Sequence, residues 1–154
     1  MIKVLGIDPD LKKPGLCFMH DGKIHNLLSE DMDYLINSLR YYMSHEKYIV
    51  ALEDVNKVKP IYAKHRKGSV AVQTKIAQNV GMVKAAATIL TDYARFHGKD
   101  VILVPPGIGK QTKRNAKLFA ELTGYKGSTN EDTRDAYWIA KYAYNKLKNG
   151  EIKQ

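Results

Sequence analysis

Four acidic residues occupy positions whose spacing suggests shared chemistry. Asp8 closes the apolar run 2–7 and Glu53 closes the run 48–52, while Asp132 and Asp135 stand three apart at the start of a helical pattern. Residues three apart on a helix share a face. An all-carboxylate set offers the hard oxygen ligands that Mg²⁺ prefers while it keeps water and substrate phosphate in its shell. Two such ions about 4 Å apart supply a hydroxide and relieve charge during phosphodiester hydrolysis. Without cations, carboxylates at ~4 Å repel by roughly 4 kcal/mol per pair at an effective dielectric constant of ~20. A cluster of this kind is therefore a functional signature. Each acid alone has a plainer role. Asp8 before Pro9 suits a turn, and Glu53 suits a solvated strand end. Asp132 and Asp135 complement a helix dipole, with Asn130 or Thr129 as the cap. Those roles do not explain why acids end both runs in a chain of net charge +9.

The elements that must position these acids follow from the hydrophobic pattern. Residues 2–7 are mostly apolar and rich in β-branched side chains, predicting a buried central strand. A second strand is predicted over 15–19 and a third over 23–28, joined by Asp21-Gly22, a strong hairpin turn signal. Helical spacing appears over 31–44, after the cap-like pair Ser29-Glu30. A short strand, 48–52, follows. Residues 69–96 form one long helical pattern, with Val72, Ile76, Val80, Val83, Ala87, Leu90 and Ala94 stepping by three or four and Gly98 as its stop. A fifth strand, 100–104, ends at Pro105-Pro106-Gly107, and two further helices are predicted over 110–123 and 132–147. Three antiparallel strands followed by helix-separated strands give an α/β fold, a mixed five-stranded sheet flanked by helices in a single domain over 1–154, and this order resembles the ribonuclease-H-like fold.

Composition narrows the partners. The chain has 154 residues, 44% hydrophobic and 27% charged, and needs no disulfide to fold. Its single cysteine, Cys17, sits in an apolar run and implies a reducing, intracellular setting. Lys3 and Asp8 interrupt the N-terminal run, leaving no signal-peptide core, and no segment approaches the ~18 apolar residues of a membrane span. The positive charge favours a polyanion partner. It gathers in Lys57, Lys59, Lys64, His65, Arg66 and Lys67, and again in Lys110, Lys113, Arg114 and Lys117. GIGK lacks the spacing of a nucleotide-binding phosphate loop, and the five histidines show no ligand spacing. Trp138, Tyr137, Tyr142 and Tyr144 crowd the last helix, where packing is the default role.

GIDPDLKKPGLCF, VALEDV and EDTRDAYWIAKYA together resemble the RuvC family of Holliday junction resolvases, of the phage type. NVGMVKAAA and GIGKQTK extend the resemblance, in order, over nearly the whole chain. The resemblance implies that Asp8, Glu53, Asp132 and Asp135 bind two Mg²⁺, with Mn²⁺ able to substitute, and that Lys113 contacts the scissile region. It implies a Mg²⁺-dependent endonuclease of four-way DNA junctions in a bacterial cytoplasm. A lysine-, tyrosine- and asparagine-rich composition suggests an AT-rich, phage-like genome. A junction of approximate two-fold symmetry calls for two sites related by a C2 axis, hence a homodimer. Ala77, Gly81, Ala85 and Ala86 on the long helix would permit close approach there, although core packing accounts for them as well. Where the family often carries an aromatic wedge three residues after its glutamate, this chain has Asn56, and Tyr62 in the basic loop is the substitute candidate. The expected DNA contacts are Lys57, Lys59, Tyr62, Lys64, Arg66, Lys67, Lys110, Arg114 and Lys117. Two alternatives stand beside this: a nuclease of the same fold acting on other branched DNA or on hybrid, and a nucleic-acid-binding protein without catalysis.

Overall fold

A computed structural model describes residues 1–57 and 68–152. Five strands, β1 (Lys3–Asp8), β2 (Gly15–His20), β3 (Lys23–Ser29), β4 (Ile49–Glu53) and β5 (Val101–Val104), form one sheet in the order β3-β2-β1-β4-β5. The first three strands are antiparallel, whereas β1–β4 and β4–β5 pair in parallel. This is the mixed sheet expected from the order of elements. Asp21 and Gly22 both take positive φ, 46° and 79°, as the hairpin signal demands.

Five helices cover the sheet: α1 (Met32–Ser44), α2 (Val70–Phe96), α3 (Lys110–Lys113), α4 (Ala116–Thr123) and α5 (Glu131–Lys148). Alternation along β1 divides the core. Leu5 and Ile7 pack with Leu35 and Leu39 of α1 and Leu90 of α2, while Val4 packs with Phe119 of α4 and Ala136, Ala140 and Ala143 of α5. Cys17 is buried on the α5 side, a small apolar packing group as expected. Among the described residues, no helix is long and apolar enough to cross a membrane.

Three expectations need correction. The cap of α1 is Asp31, without a side-chain bond, and the first amide of the helix goes instead to the Lys12 carbonyl. The helix expected over 110–123 is two helices. Continuous helix would pair the Thr112 and Lys113 carbonyls with the amides of residues 116 and 117. The Arg134 guanidinium takes both carbonyls instead, and Asn115 starts α4 by accepting from the Leu118 amide. Finally, the long stripe on α2 is only half used. Ala86, Ala87, Leu90 and Ala94 are buried, but Val72, Ile76 and Val80 are exposed.

Candidate active site

The acids converge because β1 and β4 are neighbours and α5 crosses them closely. Two glycines allow that approach. A Cβ on Gly6 would lie 2.4 Å from the Ala136 carbonyl oxygen, and one on Gly15 would lie 2.4 Å from the backbone of Asp132. Gly15 is paired with Asp8 across the β1–β2 ladder, so Asp132 rides directly above that pair. Helix α5 begins at Glu131, which puts Asp132 in its first turn and moves Asp135 from the expected first turn to the next.

The plainer roles of the acids fall to their neighbours. Turn chemistry after β1 belongs to Asp10, whose Oδ1 accepts from the amides of Lys12 and Lys13, both at 2.8 Å. The cap of α5 is Asn130, in a reciprocal capping box with Thr133. Asp8 is therefore not needed for the turn nor Asp132 for the cap, while Asp132, with Glu131, still lies at the positive end of the helix dipole. Glu53 is oriented by the amide of Gly107, which donates to its Oε1 at 2.9 Å.

Asp8, Glu53 and Asp135 line one cavity of about 240 Å³, together with Lys110 and Lys113. Asp132 stands outside its wall but acts on it electrostatically. Loss of hydration holds the Asp8 carboxyl well above its ordinary range, and the charges of Asp135, Asp132 and Glu53 push it further while Lys113 opposes them. Asp132 is also raised, chiefly by desolvation. Lys113 Nζ bonds Asp135 Oδ2 at 2.5 Å. Burial pulls the lysine down, but that bond and the surrounding carboxylates outweigh it and hold the ammonium above its ordinary range. Among the described residues, no three Asp, Glu, His or Cys side chains lie so as to enclose a metal ion; a lysine ammonium stands among the acids instead.

Over its full length the chain is similar to a RuvC of Thermus thermophilus solved in complex with a Holliday junction substrate, with a TM-score of 0.63, 19% identity and 99% of each chain covered. The fold is that of RuvC. A second structure of Thermus thermophilus RuvC matches with a TM-score of 0.56 at 17% identity, covering 97% of each chain. No protein-family model and no curated protein matches. The RuvC fold is the ribonuclease-H-like architecture read from the order of elements, with Asp8 and Glu53 at the ends of its central strands and Asp132 and Asp135 on the helix that crosses them.

The remaining candidates divide by position. Lys110, Arg114 and Lys117 are exposed on and after α3. Lys57 is exposed and lies 3.5 Å from Asp54. Asn56 is exposed in the 3-10 turn Val55–Lys57. Lys59, Tyr62, Lys64, Arg66 and Lys67 lie outside the described residues.

Three positioning residues escaped the sequence reading. Arg134 is buried, and beyond its bonds to the Thr112 and Lys113 carbonyls it donates to Thr129 Oγ1 at 2.9 Å. Trp138 Nε1 donates to the buried hydroxyl of Thr112 at 2.7 Å, and its ring lies on Gly109, where a Cβ would come within 2.1 Å. Together they fix the backbone that carries Lys113. The available signal was an arginine on the face of α5 that also carries Tyr137 and Trp138, three and four residues on.

Proposed function

We propose that the protein is a divalent-metal-dependent endonuclease that cuts four-way DNA junctions as a homodimer. The observation that carries this reading is the acid excess at the ends of β1 and β4, where Asp8 is held well above its ordinary range by burial and by three other carboxylates. The donor set fits Mg²⁺, since every ligand atom is a hard oxygen. Asp8, Glu53, Asp132 and Asp135 would hold two ions, Mg²⁺ or Mn²⁺ in its place, which supply an activated hydroxide and neutralise charge on the phosphate.

The chain's own groups do the rest. The Gly107 amide keeps Glu53 aimed at the cavity. Lys113, delivered from a clamped backbone, stabilises charge that develops on the scissile phosphate. Lys110, Arg114 and Lys117, with Lys57, Lys59, Lys64, Arg66 and Lys67, neutralise phosphates along the arms and carry little sequence information. Tyr62 takes the place of the aromatic wedge that Asn56 does not supply. The exposed stripe Val72, Ile76 and Val80, beside Gly81, supports pairing with a second copy. The work is that of a bacterial cytoplasm or of a phage within it. The Thermus thermophilus RuvC solved with a Holliday junction substrate supports junction DNA as the substrate.

The test is incubation with a synthetic four-way junction and a linear duplex of matched sequence, with Mg²⁺ and with chelator. Paired, symmetric nicks in the junction alone, and only with Mg²⁺, are expected. Equal cutting of flaps or hybrid would widen the substrate class. Junction binding without metal-dependent nicking would leave a non-catalytic binding protein.

A further inference from the structure

The acid cluster contains a cation supplied by the chain itself. Lys113 Nζ sits on Asp135 Oδ2 at 2.5 Å, in the cavity that Asp8 and Glu53 also line. The backbone beneath it cannot follow the side chain, because Arg134 grips the Thr112 and Lys113 carbonyls and Trp138 holds the Thr112 hydroxyl. Only the four-carbon stem is free to swing. Asp135 is also one of the four groups expected to ligate metal, and an ammonium at 2.5 Å from its Oδ2 repels a divalent ion and competes with it for that oxygen.

We propose that Lys113 is a built-in counter-ion of the acid cluster that competes with a divalent cation for Asp135. The proposal rests on the metal-dependent reading above and adds a competition to it. While the lysine holds Asp135, it is not available to a phosphate. Once a divalent ion takes Asp135, the ammonium is released into the cavity from a fixed anchor. Metal loading then favours deployment of the lysine. Lys110 lines the same cavity and, among the described residues, forms no ion pair, so it provides the control.

The experiment titrates the full chain with Mn²⁺ alone, by calorimetry, in wild type, Lys113→Met and Lys110→Met. Removing a competitor for the ligand should tighten Mn²⁺ binding by about tenfold, within the usual range of coupling between two sites. Lys110→Met should stay near wild type. Equal tightening in both variants would indicate only the general field of nearby positive charge and would overturn the proposal. A second measurement needs no variant: acetylation of each lysine amine in the wild-type chain, read by mass spectrometry with and without saturating Mn²⁺. Labelling of Lys113 should accelerate severalfold on metal loading while that of Lys110 and Lys117 stays constant. Unchanged or slower labelling of Lys113 overturns the proposal even where Lys113→Met fails to fold. Failure of wild type to take up Mn²⁺ removes the metal reading and the proposal together. Uptake with neither affinity nor labelling coupled to Lys113 removes the proposal alone.

Discussion

The two ends of β1 both carry charge, and the protein treats them in opposite ways. At the Lys3 end the charges balance. Lys3 Nζ bonds Glu46 Oε2 at 3.1 Å, the Tyr41 hydroxyl donates to the other oxygen, and His20 Nε2 shares a 2.5 Å hydrogen bond with the Tyr48 hydroxyl. The hydrogen bond from Lys3 holds Glu46 below its ordinary range. At the Asp8 end, four carboxylates share one bonded lysine, and both Asp8 and Asp132 are held above their ordinary range. One strand and one fold thus include a charge cluster resolved within the chain and another left unresolved. The sheet does not require the imbalance, which is what the proposed metal-dependent chemistry would use.

The largest expected effect breaks the unresolved end. Asp8→Asn keeps the shape and removes a ligand charge; junction cleavage should fall by more than about 10³-fold, beyond the loss from one electrostatic donor. Junction binding, measured by gel shift, should persist. Next comes Lys113→Ala. A lysine that stabilises the transition state costs turnover, whereas one that merely holds phosphate costs binding. Single-turnover cleavage at saturating enzyme and metal should drop by about 10²-fold, and Lys117→Ala should instead weaken binding and spare the saturated rate. Lys113→Ala cutting a bound junction at the wild-type rate would leave only the acids in the site.

A smaller effect concerns stability without metal. A carboxyl raised in the folded state carries no penalty in acid below its unfolded pKa. The penalty grows as pH rises and is complete above the folded value. At neutral pH and above, Asp8→Asn and Asp132→Asn should therefore melt higher in chelator, by roughly 2–4 °C, the shift that about 1 kcal/mol produces at this chain length. Asp135→Asn should not share the gain, because it strips Lys113 of its partner. A fall in the melting temperature of Asp132→Asn would return that residue to the helix dipole. The smallest effect lies at the balanced end. Burial, then His25 and Lys3, lower His20 below its ordinary 6.5. Its contribution is present above 6.5 and is lost as pH falls through the folded value. Denaturant unfolding between about pH 5 and 8 should show that loss in wild type and a flatter profile in His20→Gln.

What the sequence could and could not reveal follows from the range of each interaction. The order of elements and the positions of the four acids were legible because apolar periodicity, strand-terminal acids and a helix-start pair three apart are local signals. The break at Arg114 was not, since 110–115 has no apolar residue to set a helical phase and the group that ends α3 is Arg134, about twenty residues away. The capping signal of Asn115, directly before the first apolar residue of that stretch, is local, and a single helix over 110–123 passes over it. On α2 the pattern predicted a continuous apolar face, and periodicity cannot say that the fold covers only its second half. The lysine-rich loop was legible as charge, but most of it lies outside the described residues.

The close seat of α5 on Gly6 and Gly15 has a mechanical consequence. Asp132 and Asp135 are fixed to one rigid body, the helix, and Asp8 and Glu53 to another, the sheet. The gap between the two pairs is then a single adjustable dimension, gauged by the absence of two methyl groups. A methyl at Gly15 would act as a shim, lifting both helix acids from both strand acids at once. The calibre of the site is set by two residues that contribute no ligand atom to it.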